Sequence, residues 1–190
     1  MSIDQNIILW LNDHHTEFLD NAMWIVSQPT TSIPIYLLLI VLLWFKVRNW
    51  RTLFIILLGF AITVGLSDFI CSGVLKPLIA RDRPTWDNAM PVLNYVNNYK
   101  GGQYGFCSSH AANSMAVALL FSLLYRKKIV TVLLMIWVTV ICFSRMYLLV
   151  HYPTDIIGGL VVGSLFAVVA WLVLLIVFHV DDEELQKGDS

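Results

Sequence analysis

The sequence predicts an all-α membrane protein, built as a polytopic bundle of transmembrane helices. Of its 190 residues, 58% are hydrophobic and 13% are charged, whereas soluble domains have about 45–50% apolar and about 25% charged residues. Apolar runs recur along the chain, and several approach the length of about 20 residues that a helix needs to cross the hydrocarbon core. The length favours a single domain. A net charge of −1 gives no sign of a nucleic-acid partner.

The first 30 residues differ from the rest, and we expect them to form an amphipathic helix that lies in the membrane interface. Ile7, Leu11, Phe18 and Trp24 fall near helical spacing, but polar side chains between residues 12 and 17 interrupt the apolar run. A polar face of this kind is typical of helices that lie on a membrane. The alternative is a sixth span, which would also be helical.

Five apolar runs are predicted to cross the membrane. In order along the chain they cover about residues 31–46, 52–71, 109–125, 129–143 and 156–180. The first is among the shortest, and the fifth is long enough to tilt. Residues 31–180 are therefore predicted to form the transmembrane domain, and the acidic residues 181–190 a cytoplasmic tail.

Basic residues in short connections predict the orientation of the bundle. The connections between spans one and two and between spans three and four carry Lys46, Arg48, Arg51, Arg126, Lys127 and Lys128. Both should be cytoplasmic, so residues 72–108 and 144–155 should face outward. Those outward segments hold five more cations, which the orientation rule does not explain: Lys76, Arg81, Arg83, Lys100 and Arg145.

The three cysteines are expected to be small apolar residues without a disulfide. Cys71, Cys107 and Cys142 are odd in number and show no metal-ligand spacing. Two of them, Cys71 and Cys142, lie in or beside apolar runs.

The first polar cluster pairs Lys76 with Arg83. Seven helical steps return a side chain to nearly the same face, so a helix that Pro84 ends would present both cations together. The planar guanidinium of arginine can donate two hydrogen bonds to phosphate oxygens, and the ammonium group of lysine adds a compact positive charge, so the pair suits a phosphate. The alternative interpretation is anchoring to lipid headgroups.

The second cluster, Ser108-Ser109-His110, stands at the start of the third span. The N-terminus of a helix has free backbone N–H groups and about half a positive charge, so it is a ready site for an anion. The alternative is ordinary N-capping by serine, with His110 as an interfacial residue.

The third cluster contains Arg145, His151 and Asp155, close to Pro153 at the predicted start of span five. Asp155 follows His151 by four residues, so its carboxylate can accept from one imidazole nitrogen and leave the other free to attack. Arg145 can help to hold an anion. The alternative is a structural histidine–aspartate pair.

Together the clusters resemble the three signature motifs of the type 2 phosphatidic acid phosphatase superfamily. The order and spacing agree in Lys76-x6-Arg83-Pro84, Ser108-x-His110 and Ser144-Arg145-x5-His151-x3-Asp155. The resemblance covers about residues 50–180. One departure is visible, because Cys107 and Ser109 stand where the family usually has proline and glycine.

The resemblance implies a phosphatase that works without a metal ion or other cofactor. In that family's pattern His151 is the nucleophile and becomes phosphohistidine, Asp155 orients it, and His110 protonates the leaving group. The phosphoryl oxygens would be held by Lys76, Arg83, Ser108, Ser109 and Arg145. Cations and helix N-termini would supply the electrostatic stabilisation.

The expected substrate is a lipid phosphate or diphosphate, with membrane lipids around it and no nucleic acid or obligate protein partner. The small chain resembles bacterial members that act on undecaprenyl diphosphate, while lipid A, phosphatidylglycerol phosphate and phosphatidic acid stay open. We expect the bacterial cytoplasmic (inner) membrane, with the site facing the periplasm. A different class of function is a non-catalytic lipid binder or flippase of the same fold, against which the intact His110, His151 and Asp155 argue.

Overall fold

A computed structural model of the chain describes residues 1–91 and 93–178, and this part is helical without a β-strand. The all-α prediction is therefore confirmed. The predicted acidic tail, residues 181–190, and the last two residues of the fifth predicted span lie outside the described residues.

The described part contains eight α-helices. They are α1 (Ile3–Asp13), α2 (Glu17–Ser27), α3 (Ile33–Val47), α4 (Trp50–Asp68), α5 (Lys76–Ile79), α6 (Ser109–Tyr125), α7 (Lys128–Tyr147) and α8 (Pro153–Phe178). A 3-10 turn at Pro29–Ser32 leads into α3, and a π-helical segment at Phe69–Leu75 joins α4 to α5 without a break. A short 3-10 turn, Val96–Asn98, lies in the long segment before α6.

Four helical stretches in this part are long and apolar enough to cross a membrane. They are Pro29–Val47, Trp50–Ile79, Lys128–Tyr147 and Pro153–Phe178, and the shorter apolar helix Ser109–Tyr125 accompanies them. Each of the five predicted runs thus corresponds to one of these stretches. Lys46 Nζ donates to the carbonyl of Tyr125 at 3.0 Å, so the two basic connections lie at the same end of the bundle.

Helix α6 is the centre of the bundle and packs against α4, α7 and α8. Its alanines, among them Ala112 and Ala116, are fully buried and let neighbouring helices approach closely. On α8, a Cβ atom at Gly159 would collide with the carbonyl oxygen of Ser108, and one at Gly163 with that of Ala112. Small residues on both helices therefore bring the α6 and α8 backbones into contact.

The N-terminal region forms two short helices, which corrects the prediction of a single one. Ser2 caps α1 through a capping box with Gln5, and the Thr16 side chain accepts from the backbone of Leu19 to start α2. Each helix has 11 residues, or about 16 Å of length, which is too short to span about 30 Å of hydrocarbon. Ile8 on α1 is fully buried within the protein.

Two predicted local structures near the site are wrong. The helix that carries Lys76 ends at Ile79, where Ala80 turns the chain with φ +46°, so Arg83 lies beyond the helix and not on its face. Helix α7 continues to Tyr147, so Arg145 belongs to its last turn and not to the connection after it. The first end was predicted from Pro84 and the second from the end of an apolar run, and neither signal registers the turn geometry of the backbone.

The expectation of no disulfide is also wrong. Cys71, in the π-helical segment, is bonded to Cys107, and their Cα atoms are 5.3 Å apart. The bond depends on how this segment meets the loop before α6, which the spacing of the cysteines does not indicate. Cys142 is free and buried.

Candidate active site

His151 and Asp155 form the buried centre of the candidate site. His151 lies between α7 and α8, and Asp155 in the first turn of α8. Their side chains are 2% and 0% exposed, and His151 Nδ1 is 3.5 Å from Asp155 Oδ2. The two groups face each other at slightly more than hydrogen-bond distance.

Asp155 is held by three further contacts. Its Oδ2 accepts from the backbone N–H of Tyr152 at 2.9 Å, and its Oδ1 accepts from Arg81 Nη1 at 3.1 Å. Its backbone carbonyl accepts from the N–H of Ser108 at 3.0 Å. The last bond ties the start of α8 to the start of α6.

Two buried arginines approach this centre from different segments. Arg83 is 8% exposed and donates from Nε to the carbonyl of Tyr104 at 3.0 Å, while Arg145 is 3% exposed and donates to the hydroxyl of Ser27. Burial lowers the pKa of Arg83 below its ordinary value, and the nearby Arg145 guanidinium lowers it further. Two like charges so deeply buried favour an anion between them.

Lys76 reaches the N-terminus of α6. Its Nζ donates to the hydroxyls of Ser109 at 3.2 Å and Ser72 at 3.3 Å, and these two hydroxyls are 2.7 Å apart. Ser108 is fully buried and caps α6, because its hydroxyl oxygen accepts from the N–H of Ala111 at 3.5 Å. The structure therefore brings the first and second predicted clusters together.

A cavity of about 210 Å³ opens beside the first turn of α6. His110 lines it together with Ser109 and Asn113, and the Asp68 carboxylate on its wall accepts from Asn113 Nδ2 at 3.3 Å. His151 is not one of the described residues that line this cavity. The site is thus open on the side of His110 and closed on the side of His151.

The electrostatic surroundings keep His151 neutral. Burial lowers the pKa of its imidazole well below the ordinary 6.5, and the charges of Arg83, Arg145 and Lys76 add to that effect. The buried Nδ1 has no hydrogen-bond partner within the described structure. A neutral imidazole next to a carboxylate retains a lone pair with which it can attack an electrophile.

The sequence did not identify several residues that contact this site. They are Asp4, Ser27, Ser72, Arg81 and Tyr99, the last of which lies under the Arg145 guanidinium at 5.9 Å. Of these, only Arg81 had a recognisable signal, since it was an outward cation two residues before Arg83. The contacts of the N-terminal helices depend on tertiary packing, for which residues 1–30 carry no motif.

The arrangement suits the transfer of a phosphoryl group. It combines a neutral imidazole and carboxylate, a second imidazole beside a cavity, three cations and the N-terminus of a helix. Cations and N–H dipoles that are already in place can stabilise the charge of a transferring phosphoryl group.

Comparisons with known proteins agree with this chemistry. The family model described as the PAP2 superfamily matches residues 53–177. A lipid A 4'-phosphatase of Bacteroides thetaiotaomicron is 32% identical over 164 residues, which cover 85% of this chain and 72% of that protein. YbjG of Escherichia coli K12, which carries a provisional undecaprenyl-diphosphatase name, is 30% identical over 159 residues, covering 80% of this chain and 76% of YbjG.

The fold is also similar to a solved structure. The crystal structure of a transmembrane PAP2-type phosphatidylglycerolphosphate phosphatase from Bacillus subtilis superposes with a TM-score of 0.63 at 22% identity. The superposition covers 93% of this chain and 84% of that one. At this identity the likeness concerns the fold alone, and it agrees with the predicted membrane helix bundle.

Proposed function

Because the chain belongs to the PAP2 superfamily and is an integral membrane lipid phosphatase, we propose that it removes a phosphate from lipid A, with His151 as the nucleophile. The observation that carries the proposal is a neutral, buried His151 that faces the Asp155 carboxylate, with the charges of the buried cations Arg83 and Arg145 acting on its imidazole. That arrangement combines an attacking group with an anion site.

The choice of lipid A rests on the relatives. The lipid A 4'-phosphatase of Bacteroides thetaiotaomicron matches 85% of this chain at 32% identity. YbjG is somewhat less similar, and its undecaprenyl-diphosphatase name is provisional. The initial expectation of undecaprenyl diphosphate is therefore less well supported than the lipid A alternative.

An apolar groove beside the site supports a lipid substrate. A cavity of about 280 Å³ between α3, α4 and α6 is lined by apolar side chains such as Leu39, Phe60 and Phe121. Tyr36 lines both this groove and the cavity next to His110. A phosphate at the site could thus be joined to an acyl chain that lies in the groove.

In the proposed first step, His151 attacks phosphorus with Nε2, because Nδ1 faces Asp155. The Nε2–P bond forms as the bond from phosphorus to the sugar oxygen of the lipid breaks. Asp155 holds the ring and stabilises the positive charge that develops on it. Lys76, Arg83, Arg145 and the N-terminus of α6 hold the phosphoryl oxygens.

His110 serves as the general acid and base. It gives a proton to the leaving oxygen, and in the second step it takes a proton from the water that attacks phosphorus. The Nε2–P bond then breaks, which releases inorganic phosphate and returns His151 to its neutral form. The place of His110 beside the open cavity supports this role, because both the leaving group and water need access.

The proposed orientation places the site at the periplasmic side of the bacterial inner membrane. Disulfides form in oxidising compartments such as the periplasm, and Cys107 of the Cys71–Cys107 bond directly precedes Ser108. The bond between Lys46 and Tyr125 places both basic connections at one end of the bundle, and their positive charges predict that this end is cytoplasmic.

The test measures phosphate release by the purified protein in detergent with a chelator. The panel contains lipid A, undecaprenyl diphosphate, phosphatidylglycerol phosphate and phosphatidic acid, and we expect the highest kcat/KM with lipid A. The variant His151→Gln should lose activity by about 10⁴-fold or more. His14→Gln is the matched control, because His14 is an exposed histidine that stacks on Trp10.

Each arm addresses one part of the proposal. A higher kcat/KM with another lipid would overturn the substrate, and full activity of His151→Gln would overturn the nucleophile. Loss of activity with chelator would contradict the metal-free mechanism. Binding of lipid without any phosphate release would favour the non-catalytic binder or flippase.

A further inference from the structure

Arg81 makes contacts that differ from those of the other cations near the site. Its guanidinium donates to Asp155 Oδ1 at 3.1 Å, to Asp4 Oδ2 at 2.7 Å and to Thr154 Oγ1 at 2.5 Å. It also lies over the ring of Tyr152 at 4.3 Å. One side chain thus connects the N-terminal helix α1 to the first turn of α8.

The contact with Arg81 determines how the Asp155 carboxylate is turned. One oxygen, Oδ1, accepts from Arg81, while Oδ2 accepts from the backbone of Tyr152 and faces His151 Nδ1. Asp155 is fully buried, so its charge depends on a partner, and a carboxylate held at both oxygens cannot rotate away from the imidazole.

Asp4 gives Arg81 a second carboxylate partner besides Asp155. The Asp4 carboxylate accepts a hydrogen bond from Nη2 of Arg81, and it also accepts one from the Thr154 hydroxyl. Arg83 and Arg145 have no carboxylate within ion-pair distance in the described part of the chain. The three arginines therefore divide into two kinds, one neutralised by carboxylates and two available to a phosphate.

We propose that Arg81 is a positioning residue, which acts through Asp155 to hold the His151 imidazole in its attacking orientation, and that Asp4 holds Arg81 in place. The inference rests on the proposed role of His151 as the nucleophile. It gives the N-terminal helix a part in the reaction, since Asp4 belongs to α1.

Other charged groups also face this pair and bear on its pH dependence. From the neighbouring segments these groups are Asp4, Lys76, Arg81, Arg83, His110 and Arg145. Of these, Arg81 is the cation within hydrogen-bond distance of the Asp155 carboxylate. Its removal should therefore act most directly on the charge of Asp155.

The test compares Arg81→Gln with the wild type over a range of pH, using lipid A in detergent. We expect kcat to fall by about 10²-fold, because the imidazole is no longer held in its attacking orientation, while KM changes little. The acid limb of the kcat profile should also move to higher pH by about one unit or more, because the carboxylate loses its cation. A purely structural residue would not move that limb.

Three further variants complete the comparison. Arg81→Lys keeps the positive charge but cannot contact Asp155 and Asp4 through two separate nitrogens. Its kcat should therefore lie between those of Arg81→Gln and the wild type, and the acid limb should stay in place. Asp4→Asn should lower kcat less than Arg81→Gln, with an unchanged acid limb. Arg51→Gln is the matched control, because it removes an exposed guanidinium that lies over Trp50 at the other end of the bundle.

The outcomes separate this inference from the proposed function. If His151→Gln is inactive but Arg81→Gln has the wild-type kcat profile, the role of Arg81 is overturned and the nucleophile stands. A rise in KM at constant kcat would make Arg81 a phosphate ligand instead. If Arg81→Gln does not fold, Arg81→Lys decides the question, since an unchanged kcat or a raised KM in that variant also contradicts the proposal.

Discussion

At the scale of single residues, Gly105 is a position where the candidate site leaves no room for a side chain. A Cβ atom there would lie 2.7 Å from Asp155 Oδ2 and 3.2 Å from Arg83 Cγ. The backbone N–H of Gly105 also donates to the carbonyl of Arg81 at 2.8 Å, which fixes the loop in place. Three residues earlier, a Cβ atom at Gly102 would meet no heavy atom within 4 Å.

We therefore expect Gly105→Ala to disturb the site and Gly102→Ala to leave it intact. The added methyl group should displace the Asp155 carboxylate from His151 and lower kcat by about 10²-fold. Initial rates of phosphate release from the two purified variants measure the difference. Equal rates for both would show that Asp155 tolerates displacement.

The sequence could predict the candidate site residues better than the side chains that hold them in place. The spacing within three short motifs was enough to propose the candidate residues Lys76, Arg83, His110, His151 and Asp155. The motifs do not show which side chains hold them in place. Arg81 and Asp4 are 77 residues apart, and their meeting depends on how α1 packs against the bundle.

At the scale of structural elements, the disulfide joins the two segments that carry the proposed phosphate-binding residues Lys76 and Ser108. Cys71 precedes Lys76 by little more than one helical turn, and Cys107 comes directly before the N-cap of α6, Ser108. The bond closes a loop with a sequence separation of 36 residues. A loop of that length corresponds to about 3–4 kcal/mol of stabilisation in the chain-entropy description.

We expect the double variant Cys71→Ala/Cys107→Ala to unfold at a lower temperature than the wild type in detergent. Adding a reductant to the wild type should lower its midpoint in the same way, and the double variant should not respond. Cys142→Ala, which removes the free cysteine, is the control and should stay sensitive to the reductant. An unchanged midpoint after complete reduction of the wild type would contradict the prediction.

Hydropathy predicted the long elements well and the irregular ones poorly. The five apolar runs correspond to helices because a membrane span requires continuous apolar residues. The break between α1 and α2 falls in a polar stretch, where the cap formed by Thr16 decides the structure. The turn at Ala80 likewise ends α5 before Pro84, where the sequence had predicted the end of that helix.

At the scale of the whole molecule, two apolar grooves differ in their relation to the site. The groove between α3, α4 and α6 includes Ala61 and shares Tyr36 with the cavity beside His110. A second groove, of about 200 Å³, lies between α4 and α8 and includes Ala170. Only the first of these two grooves has a lining residue in common with the site cavity.

If the first groove holds the acyl chains, Ala61→Phe should raise KM for lipid A by about tenfold or more, because the new ring occupies their place. The same variant should hydrolyse a short, water-soluble phosphate ester at the wild-type rate. Ala170→Phe is the matched control in the second groove. A larger effect from Ala170→Phe than from Ala61→Phe would assign the acyl chains to the other side.

The close contact of the α6 and α8 backbones at Gly159 and Gly163 also bears on how the protein meets its substrate in a crowded bilayer. No acyl chain fits between two backbones in contact, so a lipid cannot enter the bundle between α6 and α8 by lateral diffusion. If the groove between α3, α4 and α6 holds the acyl chains, productive encounters should occur along the arc formed by α3 and α4. A neighbouring protein bound along that arc would stop turnover, whereas one bound along the outer face of α8 would leave it unchanged.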